Sequence, residues 1–220
     1  MNLNFDYTEK RVILSVFFCT AFIIANLTTV KIMEIPYLHM EAPAGVLIYP
    51  LVYVLTNVIA EVYGEKVAQR TIMLGLVADI LFVAMTVLQI FLPSPSYYTG
   101  DSSLAFVFTQ TPRILIFAYI SYLIGNLTNA RLTTIVNKTK SYLRLKNWLV
   151  VAFSELVDDT IMVVGCYLGL VPWIDMIIII FSTFIISVIW ISVAQPFIAK
   201  LVDWTSKDAP IANDGVTLSK

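Results

Sequence analysis

The chain has 220 residues, of which 59% are hydrophobic and only 13% are charged, and its formal net charge is −1. A soluble domain carries about 25% charged residues, so this composition excludes an ordinary water-soluble fold. The balanced charge gives no clustered basic face, so we expect no nucleic-acid partner. Because a helix needs roughly 20 apolar residues to cross the hydrocarbon core, a chain of this length predicts about six transmembrane helices.

Apolar windows bounded by polar or turn residues place these six helices along the chain. They cover residues 11–33, 44–63, 67–92, 113–136, 147–171 and 173–200, and a short apolar piece at 104–108 is expected along the membrane interface. Pro50 is expected to kink the second helix. The fold class is therefore an all-α membrane protein, with one transmembrane domain at residues 1–204 and a polar cytoplasmic tail at 205–220.

The distribution of basic residues predicts the orientation, because loops rich in Lys and Arg stay in the cytoplasm. Lys31 and Arg113 are the basic residues on one side. The other side has many more: Lys10, Arg11, Lys66, Arg70, Arg131, Lys138, Lys140, Arg144, Lys146, Lys200, Lys207 and Lys220. Both termini are therefore predicted to be cytoplasmic, which requires an even number of spans. The expected location is the inner (cytoplasmic) membrane of the cell, as a multi-pass protein.

Three carboxyl groups, those of Glu155, Asp158 and Asp159, lie within five residues of the fifth span. Counted from Asn147, Glu155 lies about 12 Å deep and the two aspartates about 17 to 18 Å deep. Their i,i+3 and i,i+4 spacing puts them on one helical face. Such groups must bind donors or cations, share protons or line water. The pattern favours a substrate or coupling-ion site; a structural network between helices and a misplaced span are the alternatives.

Weaker polar patterns occur in other spans. Asn57 and Glu61 are i,i+4 neighbours in the second span, although Glu61 alone is also what an ordinary cytoplasmic helix end would carry. Asn126 and Asn129 form an i,i+3 pair in the fourth span, and Arg113 is the cation at its outer end. Asp79, in the third span, has no partner nearby in the sequence.

With six spans and both ends inside, the two three-helix halves enter the membrane from opposite sides. That arrangement is typical of inverted-repeat transporters, whose sites form near the midplane between the halves. The second and fifth spans are the middle helices of these halves and also the most polar. This predicts a 3+3 inverted architecture, although the sequences of the two halves are hardly similar.

Several chemistries are absent from the sequence. A His-Glu-x-x-His zinc protease needs two histidines, and His39 is the only one present. The remaining enzyme alternative is a membrane enzyme that holds a hard cation with its acidic cluster. Such an enzyme would be expected to have a second acidic motif, which is missing. We therefore expect no enzyme, no metal site and no cofactor.

Three stretches carry a family resemblance. The second span contains Tyr49-Pro50-Leu51, Leu55-Thr56-Asn57 and Glu61-Val62-Tyr63-Gly64, followed by Arg70. The fourth contains Arg113, Ala118-Tyr119 and Gly125-Asn126-x-x-Asn129, and the fifth Ser154-Glu155-x-x-Asp158-Asp159. In this order, over roughly residues 44–165, they resemble the queuosine precursor transporter family, also described as vitamin-uptake-type transporters.

The resemblance implies a six-helix importer of queuosine precursors, 7-deazaguanine bases such as queuine used in tRNA modification, with no ATPase of its own. The chain departs from the family pattern at four positions. Asn57 and Asn129 stand where an acid is usual, Glu155 where an amide is usual, and Asp159 where a hydroxyl is usual. The acidic groups are therefore redistributed, which bears on the identity of the ligand.

The chemistry of such a base suggests roles for the candidate residues. A carboxylate accepts two hydrogen bonds from the N1–H and exocyclic amino group of a 7-deazaguanine. We expect Glu155 or Asp158 to bind that edge and Asn57 and Asn126 to bind the carbonyl side. Asp159 or Glu61 would carry a proton or pair with an aminomethyl cation, which makes the transport ion- or proton-coupled. Asn129 and Arg113 complete the candidate binding set.

Three other functions are compatible with the same sequence: a substrate-binding subunit of an energy-coupling vitamin transporter, a proton or cation channel, and the enzyme above. Besides its substrate, the protein is expected to contact membrane lipid. A homodimer suits so small a membrane protein, but no strong Gly-x-x-x-Gly face indicates an interface.

Overall fold

Seven α-helices and one β-hairpin make up the part of the chain that a computed structural model describes, residues 5–136 and 143–207. The helices are α1 (Tyr7–Thr28), α2 (Tyr49–Tyr63), α3 (Glu65–Ile90), α4 (Asp101–Phe108), α5 (Thr111–Val136), α6 (Leu143–Tyr167) and α7 (Trp173–Ser206). The strands are β1 (Ile32–Ile35) and β2 (Met40–Pro43), and a short 3-10 helix, Ala44–Leu47, follows β2. The long helices follow the predicted spans in order, and α4 covers the short apolar piece.

Within the described residues, four segments are long and apolar enough to cross a membrane: Tyr7–Thr28, Glu65–Ile90, Asp101–Asn129 and Trp173–Ala194. The chain is thus a predominantly α-helical membrane protein. The remaining two long helices are α2, which has 15 residues and so spans only about 22 Å, and α6, which carries the acidic cluster. Six spans and cytoplasmic termini therefore stay predictions.

The first helix begins earlier and ends earlier than the sequence predicted. At its start, the Glu9 N–H donates to Asp6 Oδ1 at 2.7 Å and the Asp6 N–H donates to Glu9 Oε2 at 2.9 Å. This reciprocal capping box satisfies backbone donors at the helix N-terminus. The prediction that the helix runs to residue 33 is wrong, because Ile32–Ile35 pair as β1 with Met40–Pro43. A short apolar run fits a strand as well as a helix end.

The second predicted span is broken near its outer end. The 3-10 helix Ala44–Leu47 is followed by Ile48, and only then does α2 begin. Pro50 therefore lies in the first turn of α2, so the predicted kink is wrong. A first-turn N–H has no acceptor within its own helix, and proline loses nothing there. Gly45 allows this segment to touch α1, because a Cβ at Gly45 would lie 2.5 Å from the Ala25 carbonyl oxygen.

Two hydrophobic clusters hold the helices together. The first joins α1, α2 and α3 and includes Ile198 and Leu201 near the end of α7. The second joins α5 and α6 with Met176 and Ile179 near the start of α7. The clusters correspond to the two predicted three-helix halves, and α7 reaches both. Whether the halves are related by inversion stays a prediction.

The N-terminal end of α1 lies beside the C-terminal end of α7. The Lys10 ammonium donates to the Trp204 carbonyl oxygen at 2.9 Å and lies 5.0 Å from the centre of the Trp204 ring. The Tyr7 hydroxyl donates to the Val62 carbonyl at 2.9 Å, so α1 begins where α2 and α7 end. Because α7 continues to Ser206, the first residues of the predicted tail are helical; the rest of that tail, and Lys138 and Lys140, lie outside the described residues.

Candidate functional site

One face of α2 lines both cavities of the candidate site. Tyr49, Tyr53 and Asn57 follow one another at four-residue spacing, which aligns them along one side of a helix. Each of the three lines a cavity between α2 and the second cluster of helices. The Tyr53 hydroxyl donates to Asp158 Oδ2 at 3.2 Å. This bond connects the middle helices of the two halves, α2 and α6.

Helices α5 and α6 approach each other closely beside Asp158. A Cβ placed on Gly125 would lie 3.1 Å from the Asp158 Cβ and 3.3 Å from its Oδ1. Such contacts are tighter than side chains normally make, so the absence of a side chain at Gly125 is what admits the aspartate. The position of this carboxyl group is therefore set from both sides, by a tyrosine on α2 and a glycine on α5.

Two cavities meet at the acidic cluster. The larger, counted together with the space that opens to solvent, comprises about 830 Å³ and is lined by Glu155, Asp158 and Asp159 together with apolar groups such as Phe18 and Met162. The smaller, counted in the same way, comprises about 740 Å³ and is more polar; its amide and carboxyl groups are Asn57, Asn126, Asn129, Glu155 and Asp158.

Four side chains line both cavities and form the boundary between them: Tyr53, Tyr122, Glu155 and Asp158. The two tyrosine rings are nearly parallel, with their centres 6.3 Å apart and their planes inclined by 28°. Flat apolar rings beside carboxyl groups can hold a planar heterocycle, which stacks on the rings and donates hydrogen bonds from its edge.

Several buried acceptor atoms of the site have no hydrogen-bond partner among the described residues. They are Asp158 Oδ1, Asp159 Oδ2 and Asn129 Oδ1. A buried polar atom without a partner costs about 1 to 3 kcal/mol. The residues that carry these oxygens line the cavities, so after a rotation of the side chain a ligand that supplies N–H donors or a proton would remove that cost.

The structure brings most of the predicted site residues together. Asn57, Asn126, Asn129, Glu155 and Asp158 line the smaller cavity, while Asp159 lines the larger one with Glu155 and Asp158. Glu61 is exposed, one turn beyond Asn57 on α2, and lines neither cavity.

Arg113 also lies outside both linings, and its contacts are with the end of α6. Its Nε donates to the Gly165 carbonyl at 2.6 Å and a terminal nitrogen donates to the Leu168 carbonyl at 2.7 Å. The last carbonyls of a helix have no partner within the helix. In these contacts Arg113 thus caps α6.

The tyrosines of the site were missing from the sequence-based set. Tyr53 precedes Asn57 by four residues and Tyr122 precedes Asn126 by four, so helical spacing from the predicted asparagines points to both. Aromatic residues inside a span are usually packing groups, and that is why the spacing alone did not single them out. A second network, in which Asn26 joins Tyr49 to Asp79, could not be predicted, since its members belong to three different helices.

No group of three or more carboxylate, imidazole or thiol side chains able to hold a metal ion occurs in the described ranges. Glu155, Asp158 and Asp159 share a face, but they do not converge on one point in the way metal ligands must.

Comparison with known proteins links the chain to a transporter family. A family model described as "Putative vitamin uptake transporter" matches residues 43–201, which include the acidic cluster and the asparagines of the smaller cavity. No curated protein and no solved structure matches the chain.

Proposed function

The chain belongs to this family of vitamin uptake transporters, and we propose that it imports a queuosine precursor, a 7-deazaguanine base such as queuine, across the inner membrane. In this proposal the base is carried unchanged through the two cavities. The transport function and the membrane location follow the family; the substrate is inferred from the chemistry of the site.

One observation carries the choice of substrate: buried carboxyl oxygens without donors lie beside a pair of aromatic rings. Asp158 Oδ1 has no partner, and Tyr53 and Tyr122 line the same space. A 7-deazaguanine has a flat face for the rings and two adjacent N–H donors for a carboxylate. Hydrogen bonds to a charged acceptor are the stronger ones in a site that excludes water.

The remaining polar groups suggest how the base is oriented. Glu155 or Asp158 accepts the N1–H and amino edge, and Asn57 and Asn126, across the smaller cavity, donate to the carbonyl side. Asp159, in the larger cavity, or Glu61 at the helix end pairs with the aminomethyl cation of a precursor that has one. Asn129, whose Oδ1 lacks a donor, accepts a further N–H group of the base.

Thermal stabilisation of the purified protein tests this assignment, because a ligand that binds the folded state raises its apparent stability. The panel consists of queuine, its biosynthetic precursors, guanine and unrelated vitamins. We expect 7-deazaguanines to raise the melting temperature and unrelated vitamins to leave it unchanged. A panel in which no deazapurine produces a shift would refute the substrate assignment while leaving the family membership intact.

Uptake into proteoliposomes separates the proposal from its alternatives. Accumulation of chemically unchanged base by the purified chain alone supports a self-sufficient transporter. If uptake appears only when an energy-coupling partner is added, the chain is a substrate-binding subunit. Altered product would indicate an enzyme, and ion current in the absence of any base would indicate a channel.

A further inference from the structure

Asp79 is the least solvent-exposed carboxyl group among the described residues, with 1% of its surface exposed. It lies on α3, and its Oδ2 accepts a hydrogen bond from Asn26 Nδ2 on α1 at 2.5 Å. Its other oxygen, Oδ1, has no hydrogen-bond partner within the described residues, and no ion pair reaches it there. An enclosed carboxylate without a cation is costly, so Asp79 requires a proton or a bound cation in part of its cycle.

The bond to Asn26 connects Asp79 to the larger cavity. The Tyr49 hydroxyl on α2 donates to Asn26 Oδ1 at 2.5 Å, and Tyr49 lines that cavity together with the acidic cluster. Asp79 itself is not part of the lining. A buried acid outside the cavity is thus joined, through one amide, to a hydroxyl group inside it.

The amide of Asn26 can satisfy this network in two orientations, because one end donates and the other accepts. In the structure the nitrogen faces the carboxyl group and the oxygen accepts the hydrogen bond from the Tyr49 hydroxyl, which is the orientation that suits an ionised Asp79. With Asp79 protonated, its O–H donates to the amide oxygen after the amide has turned by half a rotation. The amide nitrogen then donates to the Tyr49 oxygen, and the Tyr49 O–H is free to donate into the cavity.

We propose that Asp79 binds the coupling proton of transport. We also propose that Asn26 and Tyr49 couple this protonation to the substrate cavity by changing their hydrogen bonds. The proton from the medium forms an O–H bond at Asp79, and no other covalent bond changes. The Tyr49 hydroxyl then donates to an acceptor atom of the base when the base occupies the larger cavity, so a bound proton favours a bound substrate. This inference rests on the proposed function, since it takes the larger cavity as part of the substrate path.

The ionisable groups around this network lie mostly on the side of Tyr49. From α1 the contact of Asp79 is Asn26, which does not titrate. From α2 the network includes Tyr49, whose electrostatic environment contains Asp158, Cys166 and Tyr167 of α6 besides Asp79. Helices α4 and α5 also pack on α3, and their described residues form no hydrogen bond or ion pair with Asp79. Its protonation is therefore governed by enclosure and by the single amide donor.

Transport by the full-length chain in proteoliposomes tests the proposal with labelled queuine. An inward proton gradient should drive accumulation by the wild type. Asp79→Asn should exchange labelled for unlabelled queuine at the wild-type rate but accumulate only to the equilibrium level. Asp101→Asn, the same substitution at an exposed acid on α4, is the matched control and should accumulate like the wild type.

The pH dependence of queuine affinity gives two variants with opposite expected results. Wild-type affinity should rise as the pH falls, by about 2- to 10-fold for one added hydrogen bond. Asp79→Asn should keep the tight, low-pH affinity at every pH, because its amide can donate to Asn26 without a proton. Tyr49→Phe should keep the weak, high-pH affinity at every pH.

A measurement without substrate follows the proton directly. Infrared difference spectra between mildly acidic and mildly alkaline buffer should contain a carboxylic acid C=O band that is absent from Asp79→Asn. A wild-type difference spectrum without that band overturns the inference even if queuine is transported. Three other results also overturn it. The first is accumulation of queuine by Asp79→Asn to the wild-type level. The second is an equal loss of exchange and accumulation in a folded Asp79→Asn protein, and the third is accumulation driven by a sodium gradient in place of a proton gradient. Absence of any deazapurine binding, with the band present, would instead sink only the substrate assignment.

Discussion

Asp158 and Asp79 are the same chemical group in two different surroundings. Each has an Oδ1 atom without a hydrogen-bond partner in the described part of the chain, and each accepts one side-chain hydrogen bond at Oδ2. Asp158 borders both cavities, whereas Asp79 borders neither. The position relative to the cavities therefore determines what can supply a partner for Oδ1. A substrate in the cavities can reach Asp158, but only a proton or a small cation can reach Asp79.

The largest expected effect is at Asp158. Asp158→Asn removes a charged acceptor worth about 1.5 to 3 kcal/mol, so queuine should bind about 10- to 150-fold more weakly. Calorimetry or a ligand titration followed by thermal stability measures this change, and Glu155→Gln should weaken binding in the same direction. Normal uptake by both variants, once inserted normally, would mean that the acidic cluster does not bind the substrate. Asp79→Asn provides the contrast, since it should retain binding.

A smaller effect is expected from closing the space beside Asp158. In Gly125→Ala the new Cβ lies 3.1 Å from the Asp158 Cβ, so the carboxyl group must move, and affinity should fall about 10-fold as in other overpacked sites. Gly165→Ala is the matched control on the adjacent helix. Its Cβ would lie 2.2 Å from the Phe117 ring, away from the cavities, and should lower the melting temperature without changing affinity. Equal affinity loss in both variants would show that general packing, not the carboxyl position, matters.

Removing one hydroxyl group at the boundary should have a modest effect. Tyr53→Phe keeps the ring but deletes the hydrogen bond to Asp158. This bond is worth about 1 kcal/mol, so queuine affinity should fall about fivefold. Tyr53→Leu, which also deletes the ring, should weaken binding further. If the Phe and Leu variants bind equally well, the ring does not stack on the substrate.

The smallest effect on affinity is expected at Arg113. Arg113→Gln loses two hydrogen bonds to the end of α6, so the protein should lose about 1 to 3 kcal/mol of stability. Queuine affinity should stay within about twofold when binding is measured below the lowered melting temperature. A large loss of affinity with unchanged stability would instead support the direct role in binding that the sequence suggested.

The sequence predicted the long helices because hydropathy reports the length of apolar chain that lipid can cover. It also placed Glu155, Asp158 and Asp159 on one face, since helical spacing is a local property. Residues 32–33 and 44–47 were assigned to spans because they are apolar, yet the first two begin a β-strand and the other four form a 3-10 helix. Hydropathy measures the polarity of side chains and carries no information about backbone conformation.

Contacts between residues far apart in the sequence could not be predicted, for a different reason. The bond from Tyr53 to Asp158 joins residues 105 positions apart, and that from Asn26 to Asp79 joins residues 53 apart. Such pairs depend on how helices pack, which a single sequence does not encode in any local pattern. Asp79 was therefore recognised as a lone acid but not as part of a network, and Arg113 was recognised as a cation but not as a helix cap.

The length of α7 has a mechanical consequence. Its 34 residues extend over about 51 Å, and its two ends are embedded in different hydrophobic clusters, through Met176 and Ile179 at one end and Ile198 and Leu201 at the other. The helix therefore connects the two clusters. A movement of one cluster relative to the other would have to bend α7 or shift the contacts at one of its ends.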